Sequence, residues 1–192
     1  MRYFKYKPTF AMRHVFTLLT LLCCLTTSSF SQTDPNKIPK PPTAKLKIYE
    51  PFMGKYNMTS DYGGLKFTGT IEIKPVIKGW YVEQTILVKS QGNKIDREFR
   101  MMVTYDTIQE KYRVWRFETL PPMPGETTLR TEGSDIVLEM QVPPLKEGGE
   151  PEIIYNRYSM VSKDRMKIVS EVHSLDGKLI HQVGVSNAVR IK

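Results

Sequence analysis

The stretch from Gly79 to Thr119, GWYVEQTILVKSQGNKIDREFRMMVTYDTIQEKYRVWRFET, alternates in side-chain character with a period of two through three successive runs. That period belongs to β-strands and not to helices. In the first run Trp80, Val82, Ile86 and Val88 share one face, broken only by Gln84. Ser90-Gln91-Gly92-Asn93 supplies turn residues, two of which tolerate positive φ, so a hairpin connection is expected there. On the return run Ile95, Phe99, Met101, Val103 and Tyr105 form the expected buried set, and Arg97 shares their parity. Asp106 to Glu110 turns into a third run with faces Tyr112, Val114, Arg116 and Arg113, Trp115, Phe117. The second set carries more aromatic surface, so Trp115 and Phe117 are expected inside, with Arg113 beside them.

The pattern extends in both directions. Leu46 to Phe52 suggests a helical turn, Gly54 to Thr59 a first strand, and Leu65 to Val76 alternates through Leu65, Phe67, Gly69, Ile71 and Ile73. Further strands are expected at Glu126–Glu132, Ile136–Val142, Glu152–Val161, Met166–Leu175 and Leu179–Ser186, with short Gly- or Pro-containing turns between. About ten strands so spaced indicate an all-β, antiparallel up-and-down meander. Closure into a barrel removes the exposed edges that such a meander would leave. The alternative, a two-sheet sandwich, calls for longer crossovers than this chain has.

Val15 to Leu25 is a short apolar run preceded by Met12-Arg13-His14 and followed by small residues up to Ser31. It has the layout of a signal peptide cleaved after Ser31, and it is too short to span a bilayer. The protein is therefore expected to be exported, periplasmic or extracellular, with no integral membrane span in the mature form. Cys23 and Cys24 follow Leu22 and Cys23, not the small residue that precedes a lipidated cysteine, and both leave with the leader. The mature chain then lacks disulfides, thiolate nucleophiles and sulfur ligands. Gln32 to Lys45 holds four prolines and reads as an extended spacer, which leaves 46–192 as the folded domain. The formal charge of +8 shrinks once Arg2, Lys5, Lys7 and Arg13 are removed, to 24 basic against 20 acidic residues. With no basic run, nucleic acid is not an expected partner.

Phe52-Met53-Gly54-Lys55-Tyr56, Gly79 to Glu83, Tyr105-Asp106, Lys111 to Phe117 and Ser174-Leu175-Asp176-Gly177 together resemble the calycin-type, lipocalin-like domains of secreted bacterial proteins. The resemblance covers about Leu46 to Ser186. It implies a small up-and-down barrel with an internal cavity, and no settled activity.

Site expectations follow from parity. Trp80, Phe99, Met101, Trp115 and Phe117 are candidates to line a cavity for a small apolar or amphipathic molecule. Arg97 or Arg113 would meet an anionic end with a forked, permanently charged donor, unless each lies at a strand end and reaches solvent. His181 shares a face with Leu179, Val183 and Val185. By similarity to haem-binding nitrobindin-like barrels it is a candidate axial haem ligand, with a hydrogen-bonded core histidine as the alternative. Glu83, Glu118, Glu139 and Glu171 alternate with residues expected to be exposed and are themselves expected at the surface. No serine nucleophile elbow, Gly-rich phosphate loop or His-plus-carboxylate metal spacing occurs, so no enzyme class is indicated. A structural or partner-binding module whose interior is merely packed core is the remaining alternative.

Overall fold

The computed structural model describes residues 40–90, 96–119, 127–143 and 149–192. The leader, most of the proline-rich spacer, the Gln91–Asn93 part of the first expected turn, Ile95 and the Pro121–Gly125 loop lie outside these residues. The compact unit spans Pro41–Lys192. It opens with a helical turn, α1 (Thr43–Leu46), that runs into a 3-10 helix (Lys47–Phe52), so the last residues of the expected spacer are helical.

Ten strands follow: β1 (Gly54–Tyr62), β2 (Leu65–Val76), β3 (Tyr81–Ser90), β4 (Asp96–Asp106), β5 (Lys111–Glu118), β6 (Thr127–Glu132), β7 (Asp135–Val142), β8 (Glu152–Ser162), β9 (Arg165–Ser174) and β10 (Leu179–Arg190). They form one antiparallel sheet in the order β5-β4-β3-β2-β1-β10-β9-β8-β7-β6. Every neighbour is a sequence neighbour except β1 and β10, whose pairing from Tyr56↔Arg190 to Tyr62↔Gly184 joins the two halves. The sheet curls into a nearly closed barrel in which β5 and β6 come alongside without sharing a ladder. The meander expected from the alternating runs is therefore the observed architecture. No helix among the described residues is long and apolar enough to cross a membrane.

One end of the barrel is filled by the N-terminal helices. Leu46, Tyr49 and Phe52 are buried against Tyr56, Ile73, Val103 and Ile136. Each such side chain contributes about 1.5–3 kcal/mol by leaving water. The Tyr56 hydroxyl donates to the Phe52 carbonyl at 3.0 Å, and the Tyr112 hydroxyl to the Lys45 carbonyl at 2.9 Å, so the plug's backbone is tied to the wall. At the C-terminus Arg190 donates to the carbonyls of Met53 and Pro51 and stacks 4.9 Å from the Tyr56 ring.

Two departures from strict alternation matter for the interior. In β5 the parity is opposite to that expected. The register Met101↔Arg116 and Val103↔Val114 puts Tyr112, Val114, Arg116 and Glu118 on the inward face of β4, and residues directly opposite in a ladder share a face. Arg113, Trp115 and Phe117 consequently lie outside. The turn fixes this: Asp106 pairs with Lys111, and its carboxylate accepts the Ile108 and Gln109 amides at 3.0 Å each. In β10, irregularities between Leu179 and His181 and between Gln182 and Gly184 reset the alternation, as an extra residue in a strand does. The face that would carry Leu179, His181, Val183 and Val185 together is thereby broken up. Gly184 is required where the strand recovers, because a Cβ there would lie 2.5 Å from the Tyr62 ring and 2.7 Å from the Asp61 carbonyl oxygen.

Candidate functional site

The half of the barrel remote from the helices encloses a cavity of about 420 Å³. Its walls are mostly apolar: Phe67, Ile86 and Val88 on β2 and β3, Phe99 and Met101 on β4, and Leu138, Met140 and Ile154 on β7 and β8. Such a volume with few polar anchors has the size and character of small-molecule sites. Arg97 both lines the cavity and is exposed, so the cavity reaches the surface there.

Apart from Thr127 on β6, the polar lining falls into two groups. On β4 and β5 are Arg97, Arg116 and Glu118. Arg116 and Glu118 form an ion pair through Nε, with side chains 21% and 7% exposed respectively. The Arg116 guanidinium also lies 5.7 Å from the Phe99 ring centroid, and its Nη1 meets the Met140 sulfur. Side chains thus bridge the seam where β5 and β6 share no ladder.

On β1, β10, β9 and β8 the lining polar groups are neutral. Ser60 and Ser186 hydroxyls lie 2.7 Å apart, Tyr62 and Ser170 hydroxyls 3.3 Å apart, and the Ser170 hydroxyl donates to Asn156 Oδ1 at 2.7 Å. Ser60, Ser170 and Ser186 are all buried. Deeper, at the boundary with the helical plug, Gln84 Nε2 donates to the Tyr158 hydroxyl at 3.1 Å. Burial pushes the Tyr158 phenol up to about 12, with the Gln84 bond acting against that rise. Tyr49, buried beneath it, is also held well above the ordinary phenol range, by burial first and then by neighbouring Tyr158.

Of the eight candidate residues, Arg97, Phe99 and Met101 line the cavity. Trp115 and Phe117 are instead 44% and 57% exposed on the outer face, where Trp115 packs against Tyr81 at 5.9 Å. Arg113, also outside, donates from Nε and Nη2 to the Asp106 carboxylate at 3.2 Å. The Gln109 and Ile108 amides and Arg113 hold that carboxylate below its usual range. Trp80 is half-buried at the end of a short turn before β3, away from the cavity, and its carbonyl accepts the Thr104 hydroxyl at 2.6 Å. His181 is exposed and is not among the residues that line the cavity.

Glu118 corrects a further expectation, since it is inside and paired, not at the surface. Arg116 and Glu118 were hidden by the parity of β5. The serines and Asn156 gave no signal, because a small polar residue at an inward position looks like any solvated strand residue until the register is known.

No protein-family model matches the chain, and no curated protein matches it. Among solved structures, it is similar to a de novo designed fluorescence-activating β-barrel at 14% identity and a TM-score of 0.41, over 76% of this chain and 98% of that one. A redesigned β-barrel matches at 11% identity and 0.41, over 76% and 96%. An S-type phycobiliprotein lyase from Guillardia theta matches at 15% identity and 0.47, over 77% and 93%. At these values the likenesses say nothing of ligand or activity.

Proposed function

We propose that this protein is a non-enzymatic, lipocalin-like binding barrel for a small amphipathic molecule with an anionic end. The observation that carries the reading is the apolar cavity of about 420 Å³ with Arg97 where it meets the surface. An apolar body gains by leaving water against Phe67, Ile86, Val88 and Leu138, and an anionic group gains a forked cationic donor without being drawn into the core. No described acid forms an ion pair with Arg97. Arg116, which replaces Arg113 as the second inward arginine, adds positive charge to the same wall, partly spent on Glu118. The haem reading is not carried forward, because its ligand His181 lies off the cavity.

The test is isothermal titration with dodecanoate on wild type, Arg97→Leu and Arg113→Leu. Saturable one-to-one binding is expected, weakened about tenfold by Arg97→Leu, as loss of a charge-assisted hydrogen bond predicts, and unchanged by Arg113→Leu. Absence of saturable binding, or equal losses in the two variants, would overturn the reading.

A further inference from the structure

The cavity is polar at two opposite poles, and the second pole specifies more of the ligand than its anionic end. Two strands separate the β4–β5 wall from the wall of β8, β9, β10 and β1 whichever way one goes round, β3 and β2 on one side and β6 and β7 on the other. The cationic group and the hydroxyl–amide group therefore face each other across the apolar body of the cavity.

The hydroxyl–amide wall has a surplus of donors. Ser60, Ser186, Tyr62 and Ser170 each bring one proton and Asn156 two, and these six serve only three hydrogen bonds. Three protons are left with no acceptor among the described residues. The count does not change if the Asn156 amide is turned over, because each bond still consumes one proton. The same groups also carry unused lone pairs, but an unmet N–H or O–H is the costlier of the two to leave without a partner, so a ligand group that accepts gains most there. At the opposite pole the guanidiniums of Arg97 and Arg116 are donors as well, and they carry charge.

We infer that the ligand is an amphiphile with acceptors at both ends: an anion held at Arg97 and Arg116, and an uncharged acceptor such as a carbonyl oxygen held by Asn156 and the serine hydroxyls, with an apolar chain between. This rests on the binding reading above and names the class of molecule that binding serves. The volume is roughly that of fourteen waters at about 30 Å³ each, which sets a comparable number of heavy atoms.

Monomethyl decanedioate and dodecanoate, two chains of that size, provide the test by titration at equal pH. The ester is the less apolar of the two, so a cavity with a single polar pole binds it roughly tenfold more weakly. A two-pole cavity binds it at least as tightly as dodecanoate. Asn156→Leu, of similar volume, is expected to weaken monomethyl decanedioate by about tenfold while leaving dodecanoate within about twofold. Ser170→Ala provides a second, smaller perturbation with the same preference, and a cooperative thermal transition in each variant establishes that it is folded. Weaker binding of the ester in wild type together with indifference to Asn156→Leu overturns the second pole and leaves the anionic site standing. Failure of both molecules to bind wild type overturns the binding reading, and this one with it.

Discussion

Arg116→Met removes a charge from a place where its partner cannot follow it into water. Glu118 is only 7% exposed, whereas Arg116 is 21% exposed and reaches further towards solvent. Breaking a buried pair by deleting one member costs about 3–5 kcal/mol, because the remaining charge stays desolvated. The partial exposure of Arg116 puts the expected loss near the lower bound, about 3 kcal/mol, and the lost stacking on Phe99 adds about 0.5 kcal/mol. For a folded unit of this size that is a drop of roughly 7–14 °C in Tm. The methionine retains the apolar stem, so the change reports the charge and not a cavity. Urea denaturation of wild type, Arg116→Met, Glu118→Gln and the double variant closes a cycle. Arg116→Met is expected to be the least stable, Glu118→Gln to lose about 1 kcal/mol because the arginine can still find water, and the double variant to return within about 1 kcal/mol of wild type. A loss below about 1 kcal/mol in Arg116→Met, or no recovery in the double variant, would refute the claim that the pair is buried and coupled.

Two other consequences can be measured directly. Tyr158 is raised to about 12 by burial, whereas an unfolded phenol titrates near 10. Its contribution is thus fully present below pH 10 and lost as pH rises towards 12, about 3 kcal/mol over that window, so stability should fall more steeply between pH 10 and 12 in wild type than in Tyr158→Phe; parallel denaturation curves would contradict this. Export through the leader is likewise a proposal, and intact mass of protein secreted by a bacterial host should correspond to a chain beginning at Gln32; a mass that includes 1–31 would remove it.

Strand existence was legible in the sequence because the period of two is a property of the backbone, independent of what each face meets. β2 occupies Leu65–Val76, the alternating run itself, and β4 carries Arg97, Phe99, Met101 and Val103 inward as expected. Facing was less legible, since it depends on register, which turns and bulges set. In β5 the aromatic content of Trp115 and Phe117 argued for the inside, but the Asp106 turn pairs Val103 with Val114 and sends both aromatics out. Exposed aromatics need no core to hold them when they can lie against neighbours on the outer sheet face, as Trp115 does against Tyr81. His181 was misplaced for a related reason, since the apolar face counted through Val185 is not the inward one: Val185 lies opposite the exposed Asp61, and it is Ser186, opposite Ser60, that lines the cavity. The hydroxyl–amide wall was illegible outright: its members come from β1, β8, β9 and β10, and only closure of β1 on β10 brings Ser60 to Ser186.

The two ends of the barrel differ in what their inward positions can fill. Towards the helices these are Tyr56, Ile73, Val103 and Met166, completed by Tyr49 and Phe52 from outside the sheet. Towards the far end β1, β10 and β9 offer Ser60, Ser186 and Ser170. Small side chains on adjacent strands leave volume that no neighbour occupies. That space opens to the surface at Arg97, so water enters it when no ligand is present, and apolar walls alone would hold that water poorly. The serines and Asn156 change the balance, because their unmet donors make one wall hydratable and let water stand in until an acceptor arrives. The same residues that fail to pack the core therefore make the cavity tolerable in solution, and a ligand that replaces ordered water there must return those hydrogen bonds or lose affinity. Selection for an acceptor is built into the arrangement that keeps the barrel stable while its interior is unfilled by side chains.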